Sequence, residues 1–261
     1  MPTRTRTYTL HTFLLACVLL SVMGTAGAQT ASEYLAASER FTAKAAASSD
    51  APRLTEPDTK ALLDALSDRR LLDARAMTAD DLPMLLNVCQ AGTGALMTYG
   101  LHNVRERIQA ETDPLRIQAV MQEQMGANFL LYEDEVTVLM PFVSHCGARM
   151  LQVFDEFIAR LKPGEFNAVR KQGLEQARRG FRQMYVGMLT AGLDPANRLR
   201  LLQAGAEDAA IYASALRVEE RAEVAAVARR ELASAPEPLQ SPLREIADAM
   251  SSTDCTGLCK R

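Results

Sequence analysis

The sequence predicts an all-α fold, a single irregular bundle of about seven to nine helices supported by disulfide bonds. Apolar residues recur at steps of three and four along most of the chain, which is the spacing of one helix face. Alternating β-branched runs and Asn-Gly hairpin turns, the usual signals of strands, are almost missing. No convincing self-similarity occurs at periods of roughly 34 to 45 residues, so a helical repeat array is not predicted.

The first element of the chain, residues 1–28, is typical of an export signal. Arg4 and Arg6 give it a positive start, an apolar run covers 13–23, and small residues end it at Ala28. Cleavage is expected after Ala28. The apolar run is shorter than the roughly 20 residues that cross a bilayer, so an uncleaved membrane anchor is not expected.

A bacterial lipoprotein box ending at Cys17 is the less favoured alternative for this segment. The apolar run continues well past Cys17, and a mature chain that began there would lack a polar tether. No later segment approaches transmembrane length. We therefore expect a periplasmic or secreted protein with no transmembrane segment after cleavage.

Composition limits the function of the 233 residues that remain. They carry 27 basic and 32 acidic side chains, a net charge of −5 with both signs interspersed, which argues against nucleic-acid binding. Tryptophan is absent and only 5% of the chain is aromatic, so no platform for stacking bases or sugars is expected. The densest basic cluster has Glu175 one turn away and is expected to be a solvated, ion-paired helix face: Arg178, Arg179 and Arg182.

The start of the mature chain, 29–56, is rich in alanine and serine. It holds one short amphipathic helix pattern between Tyr34 and Phe41, followed by an expected linker over 45–52. A helical domain is then expected over 57–252. Its first helix is predicted at about 57–74.

Thr78 is predicted to open the next long helix. Its hydroxyl can accept a backbone N–H, and Asp80 and Asp81 lie near the positive end of the helix dipole. Glycines inside a helix cost roughly 1 kcal/mol each relative to alanine. We therefore expect close helix approach or a local bend at three positions: Gly92, Gly94 and Gly100.

Another long helix is predicted over about 132–161. The acidic run from Tyr132 to Glu135 opens it, where carboxylates meet the positive helix end. Successive residues spread around a helix, so these carboxylates are not expected to converge as an acid–base pair. Pro141 lies inside the pattern and is expected to kink or split the helix.

The clearest helix pattern begins at Phe166. Pro163-Gly164 ends the preceding helix, and Asp194-Pro195 ends this one. Further helices are expected at about 113–128, 196–214, 217–232 and 242–251, with a proline-rich linker over 234–242.

Four cysteines remain in the mature chain, and an even number in an exported protein favours disulfides. Cys89 and Cys146 fall on the apolar stripes of two long helices. Cys255 and Cys259 lie in a tail, 253–261, after the last helix. The favoured pairing is Cys89–Cys146 and Cys255–Cys259, and the alternative joins the two tail cysteines to the two helix cysteines.

A chemical use of the tail pair is an alternative hypothesis, because two thiols can bind a metal or shuttle electrons. Three residues separate Cys255 from Cys259, whereas redox proteins more often have two at a helix N-terminus. A metal site would also need further ligands. Structural pairing is therefore the preferred interpretation.

A second chemical hypothesis joins Cys146 and His145 as a nucleophile pair, or these two with Cys89 and His102 as a metal site. Adjacent helical residues point about 100° apart, so His145 and Cys146 do not easily face one centre. A histidine hydrogen-bonded at the edge of the core is the preferred interpretation. We expect no catalytic residue, no metal and no cofactor.

The favoured functional hypothesis is an exported, non-catalytic helical protein that binds a protein or small-molecule partner through a groove or helix face. The competing hypothesis is a thiol-redox or metal-binding protein, or an enzyme, that uses Cys146 and His145 or the Cys255 and Cys259 pair. The oligomeric state does not follow from the sequence. Methionines can form an adaptable groove, although they fill cores more often: Met84, Met97, Met140, Met150, Met184 and Met188.

Overall fold

The computed structural model describes residues 30–73, 76–109, 111–255 and 257–261. These residues form α-helices and two 3₁₀ turns but no strand, so the all-α prediction is confirmed. Nine of the described helices have ten residues or more. The predicted export signal lies outside the described residues.

The helices are numbered in chain order, and two of them, α3 and α5, are single turns. The bounds are α1 Ala31–Ala46, α2 Pro57–Leu66, α3 Arg70–Asp73, α4 Leu82–Gly100, α5 Val104–Ile108, α6 Pro114–Leu131, α7 Glu133–Ala159, α8 Ala168–Thr190, α9 Pro195–Ala215, α10 Val218–Leu232 and α11 Glu237–Ser251, with 3₁₀ turns at Ala79–Asp81 and Leu258–Lys260.

Polar caps explain where several helices begin. Thr30 and Glu33 form a reciprocal capping box at the start of α1. The side chains of Asp113, Asn167 and Asp194 each accept a backbone N–H at the start of α6, α8 and α9. These contacts satisfy amide groups that have no partner inside the helix.

Helix α7 is shared by two hydrophobic cores. Phe142 and Val153 belong to the N-terminal core, which also includes residues of α1, α2 and α4. Ala148 and Leu151 belong to the C-terminal core, which also includes residues of α8 to α11. The helical spacing of these residues puts the two sets on opposite sides of α7. This helix therefore holds the two halves of the bundle together.

Two predicted proline breaks do not interrupt their helices. Helix α7 continues through Pro141 without a break, so the alternative of a split helix is wrong. Helix α11 begins at Glu237 and contains Pro242, so the expected linker over 234–242 is mostly helical. Both segments have apolar faces buried in the bundle, and this packing outweighs the lost hydrogen bond at a proline.

The predicted linker over 45–52 packs against the N-terminal core. Ala51 is 5% exposed, and the Tyr99 hydroxyl donates to the Pro52 carbonyl over 2.9 Å. Tyr34 and Phe41 of α1 are fully buried. The N-terminal segment is thus an integral part of the bundle.

Close helix approach occurs at two of the three glycines singled out in α4. A Cβ added at Gly92 would lie 2.7 Å from the Tyr34 hydroxyl, and one at Gly100 would lie 2.7 Å from the Phe129 ring. Both distances are too short for a real Cβ atom. A Cβ at Gly94 would meet nothing within 4 Å, so close helix approach does not occur at that residue.

The predicted solvated arginine face is wrong for Arg178, which is fully buried. Its Nε donates to the Ala215 carbonyl over 2.8 Å, its Nη1 to Glu175 over 2.6 Å, and its Nη2 to the Leu258 carbonyl. These acceptors replace the water that the guanidinium loses. Arg182 fits the prediction, since it pairs with Glu223 over 3.0 Å and is partly exposed.

A second buried arginine also holds the C-terminal tail. Arg221 is 1% exposed, and its Nη1 donates to the Asp254 carbonyl over 2.8 Å. Leu258 of the tail is itself buried in the C-terminal core. The tail therefore lies against the bundle, anchored by Arg178, Arg221 and the Leu258 side chain.

Candidate functional site

The four cysteines in the described residues form two pairs at disulfide-bonding distance. Cys89 and Cys146 join α4 to α7 with a Cα–Cα distance of 5.6 Å. Cys255 and Cys259 are joined within the tail, with a Cα–Cα distance of 5.7 Å. Both distances lie within the usual range for disulfides. The pairing is the one favoured from the sequence, and it leaves none of the four sulfur atoms as a free thiol.

His145 lies between two carboxylates from distant parts of the chain. Its Nδ1 is 2.8 Å from Oδ1 of Asp208 on α9, and its Nε2 is 2.9 Å from Oδ1 of Asp73 on α3. His145 is 8% exposed and Asp208 is 1% exposed. Arg149 also donates to the Asp73 carboxylate. This cluster links three helices through charged hydrogen bonds.

The carboxylates set the protonation of His145. Burial alone would lower the pKa of His145, but the hydrogen bond and charge of Asp208, and then those of Asp73, outweigh it and raise the pKa above 6.5. For Asp73, burial raises the pKa, but the hydrogen bonds from Arg149 and His145 outweigh it and lower the pKa. The two carboxylates therefore favour the protonated form of the His145 ring over the neutral form.

This geometry does not suit His145 as a general base. Both ring nitrogens are hydrogen-bonded to carboxylates, so neither is free to take a proton from a nucleophile. The neighbouring Cys146 is part of a disulfide. The structure thus does not bring His145 and Cys146 together as a reactive pair.

The other predicted ligand, His102, lies elsewhere in the fold. Its Nε2 is 3.0 Å from the Asn103 side chain, and its ring packs edge-on against Tyr132 with centroids 5.6 Å apart. Within the part of the chain that the structure describes, no group of three or more histidine, cysteine, aspartate or glutamate residues could hold a metal ion.

The carboxylates that open α7 have different partners. Glu133 and Asp134 accept from the Asn197 amide over 3.2 and 2.7 Å. Glu135 is buried, accepts the Leu54 N–H over 2.8 Å and lies 3.5 Å from the guanidinium of Arg53. These residues tie α7 to other segments of the bundle, and they do not form one acid–base site.

An apolar cavity of about 450 Å³, which we call the large cavity, lies between α6, α7 and α8. None of its lining residues is charged. Leu130, on the α6 side, is 55% exposed, so apolar surface continues from the cavity to the outside of the molecule. Its larger apolar lining residues are Phe129, Leu130, Val136, Met140, Met184, Met188, Leu193 and Leu201, and two uncharged polar residues, Thr137 and Gln183, also line it.

Glycines keep part of the large cavity open. Gly126 on α6, Gly187 on α8 and Gly192 after α8 all line it, and a Cβ added at any of them would meet nothing within 4 Å. A Cβ at these positions would therefore enter open space. The cavity is therefore open where these residues are glycine.

A second cavity, of about 280 Å³, lies between the other ends of α7 and α8. We call it the small cavity. It is lined by Met150, Leu151, Phe154, Arg170, Gly173, Leu174, Ala177 and Phe181.

At Gly147, the space between α7 and α8 is filled by the side chain of Tyr212. The Tyr212 hydroxyl lies so close to Gly147 that a Cβ there would overlap it, and this hydroxyl donates to the Ser144 carbonyl over 2.6 Å. Phe181 packs against the Tyr212 ring, with centroids 4.9 Å apart. Phe181 also lines the small cavity.

Four of the six methionines singled out from the sequence line these cavities. Met140, Met184 and Met188 line the large cavity, and Met150 lines the small one. Met84 instead packs against the N-terminal core. The methionine pattern was thus a useful signal for the cavities, whereas the cysteines and histidines pointed to structural bonds.

No protein-family model, curated protein or solved structure matches this chain. No helix among the described residues is both long enough and apolar enough to cross a membrane.

Proposed function

We propose that this chain is an exported, non-catalytic binding protein whose large cavity takes an uncharged apolar molecule. The observation that carries the proposal is a space of about 450 Å³ lined without a single charged side chain. Sites for small molecules are usually apolar concavities of roughly 300 to 1,000 Å³. The large cavity falls within this range.

Physical chemistry favours an apolar occupant over water. A cavity needs several polar partners to hold an ordered water, whereas apolar cavities stay dry and bind apolar molecules. Each Å² of ligand surface removed from water contributes roughly 25 cal/mol. The unbranched, polarisable side chains of Met140, Met184 and Met188 can adapt to more than one ligand shape.

Export is supported by the two cysteine pairs at disulfide distance. Such bonds form and persist in oxidising compartments, and they are rare in the cytosol. The signal-like composition of residues 1–28 supports the same proposal.

Binding is better supported than thiol or histidine chemistry. His145 has both nitrogens bound to carboxylates, and the cysteines are paired with one another. Redox cycling of the Cys255–Cys259 pair is the second candidate, favoured only by the short spacing of these residues in the tail.

The test uses N-phenyl-1-naphthylamine, an uncharged dye whose fluorescence rises in apolar surroundings, and the purified mature protein. We expect saturable binding to the wild type. Gly187→Leu should abolish it, because the new side chain would fill the large cavity while its Cβ meets no neighbour. Gly180→Leu is the matched control, since Gly180 lies on the same helix, has equal room for a Cβ and does not line the large cavity.

Two results would contradict the proposal. One is a lack of dye binding by the folded wild type. The other is equal binding by the Gly187→Leu and Gly180→Leu variants, which would place the dye elsewhere. Circular dichroism of both variants establishes that each is folded.

A further inference from the structure

The small cavity differs from the large one in having a cation in its wall. Arg170 lines it alongside apolar residues of α7 and α8. The guanidinium carbon of Arg170 lies 5.7 Å from the centre of the Phe157 ring. The guanidinium is thus held at the edge of apolar surface.

The guanidinium of Arg170 has no carboxylate partner among the described residues. Its Nη1 donates to the backbone carbonyl of Glu165, which leaves the positive charge itself uncompensated. Arg182, on the same helix, is by contrast ion-paired with Glu223 over 3.0 Å. An arginine that is not ion-paired beside an apolar cavity is well suited to bind an anion.

The local sequence around Arg170 is mostly basic. Lys162 and Lys171 are the other basic residues between positions 162 and 171, and Glu165 is the only acidic residue in that range. Arg170 also lies in the first turn of α8, where the positive end of the helix dipole favours an anion.

We propose that the small cavity binds a single-chain amphiphile with a carboxylate head. The alkyl chain would lie between α7 and α8, and the carboxylate would bind the guanidinium of Arg170. The cavity supplies the apolar surface, from Met150, Phe154 and Phe181, and Arg170 supplies two parallel N–H donors of the kind that match a carboxylate. A volume of about 280 Å³ suits one chain of medium length and is too small for a two-chain lipid.

This site is independent of the site proposed for an uncharged ligand. The two cavities have no lining residue in common. Phe181 and Tyr212 fill the space between α7 and α8 at Gly147. Gly147 lies between the α7 residues that line the large cavity and those that line the small cavity. Either site can therefore exist without the other.

The test compares decanoate with 1-decanol and decyltrimethylammonium by isothermal titration calorimetry on the mature protein at neutral pH. The three probes share one alkyl chain and differ in head charge. We expect decanoate to bind tightest. Arg170→Gln should weaken decanoate binding tenfold or more, because it removes hydrogen bonds to a charged group, and should leave decanol binding unchanged. Arg179→Gln is the matched control, since Arg179 is exposed on the same helix and does not line the cavity.

A second pair of variants tests where the alkyl chain of the ligand binds. Gly173→Leu should abolish decanoate binding, because a Cβ at Gly173 meets nothing within 4 Å and the side chain would fill the small cavity. Gly180→Leu should not change it.

Three results would overturn the inference. Equal affinity of the wild type for decanoate and decanol would show that Arg170 does not favour a carboxylate head group over an uncharged one. Tightest binding of decyltrimethylammonium would reverse the expected charge. Loss of decanoate binding in Gly187→Leu but not in Gly173→Leu would place the ligand in the large cavity, which overturns this site and supports the proposed function. If the naphthylamine dye does not bind but decanoate binds as expected, only the proposed function fails.

Discussion

Replacing His145 by alanine should strongly destabilise the protein, because His145 bonds to a buried carboxylate. His145 is the only hydrogen-bond partner of the Asp208 carboxylate among the described residues, since the other oxygen, Oδ2, has none. Asp208 is 1% exposed. His145→Ala would therefore leave a buried carboxylate with no hydrogen-bond partner, although the Arg69 guanidinium still interacts with its charge.

The expected loss follows from the burial of this pair. Removing one partner of a buried ion pair typically costs about 3–5 kcal/mol, because the remaining charge is uncompensated. Asp73 adds little to this figure, because its side chain is 47% exposed and Arg149 still donates to it. We expect the free energy of unfolding of His145→Ala to fall by about 3–5 kcal/mol.

The measurement is urea unfolding followed by far-ultraviolet circular dichroism at pH 6, with the disulfides intact. His102→Ala is the matched control, because His102 is partly exposed and has a single side-chain hydrogen-bond partner, Asn103. Its loss should stay below about 1 kcal/mol. The double variant His145→Ala/Asp208→Asn should regain part of the stability, because it removes the buried charge.

The same cluster predicts a pH dependence. The pKa of His145 is raised above 6.5 in the folded protein, so the stability it contributes is fully present below pH 6.5 and is lost as the pH rises through the folded pKa. The pKa of Asp73 is lowered, so its contribution is present above 3.8 and is lost as the pH falls through the folded pKa. His145→Ala should remove the loss on the alkaline side.

A loss below about 1 kcal/mol for His145→Ala at pH 6 would refute this reasoning, because a buried, unpaired carboxylate costs more than that. A wild-type free energy of unfolding that shows no loss on the alkaline side, as the pH rises through the folded pKa of His145, would refute it as well.

The remaining predictions concern packing and the disulfides. Gly92→Leu should lower the melting temperature, because overpacking against Tyr34 and Phe142 should cost about 1–3 kcal/mol or more in the free energy of unfolding. Gly94→Leu should not lower it, so equal melting curves of the two variants by calorimetry would contradict this prediction. Replacing Cys89 and Cys146 together by serine should cost roughly 4 kcal/mol on the chain-entropy model, and the same change at the two tail cysteines roughly 2, so equal losses in urea unfolding would count against the model. Thiol titration of denatured, unreduced mature protein should find no free thiol, and two free thiols would favour the redox or metal hypothesis.

The sequence was informative where the signal is local. Helix spacing, the start signal at Thr78 and breaks such as Asp194-Pro195 predicted most helices, because these features act within one or two turns. The favoured cysteine pairing also followed from local patterns. Cys89 and Cys146 lie on the apolar stripes of two long helices, and Cys255 and Cys259 lie together in the short tail after the last helix.

Interactions between distant segments could not be predicted in the same way. The partners of His145 lie 63 and 72 residues away in sequence, so the sequence does not show which carboxylates it meets. Helical spacing puts Arg178 on the buried face with Leu174 and Tyr185, whereas its neighbour Arg179 is exposed. The Ala215 and Leu258 carbonyls that accept from Arg178 lie on distant segments, so the sequence does not show them. The cavities also depend on the spacing of three helices, which apolar periodicity alone does not give.

The anchoring of the last nine residues has a practical consequence for engineering this protein. A truncation chosen at the end of α11, residue 251, would take away the Leu258 and Asp254 carbonyls and leave two guanidinium groups facing apolar surroundings without those acceptors. Such a shortened chain would be expected to expose hydrophobic side chains and aggregate during expression. An affinity tag is therefore better added beyond Arg261 than substituted for the segment before it.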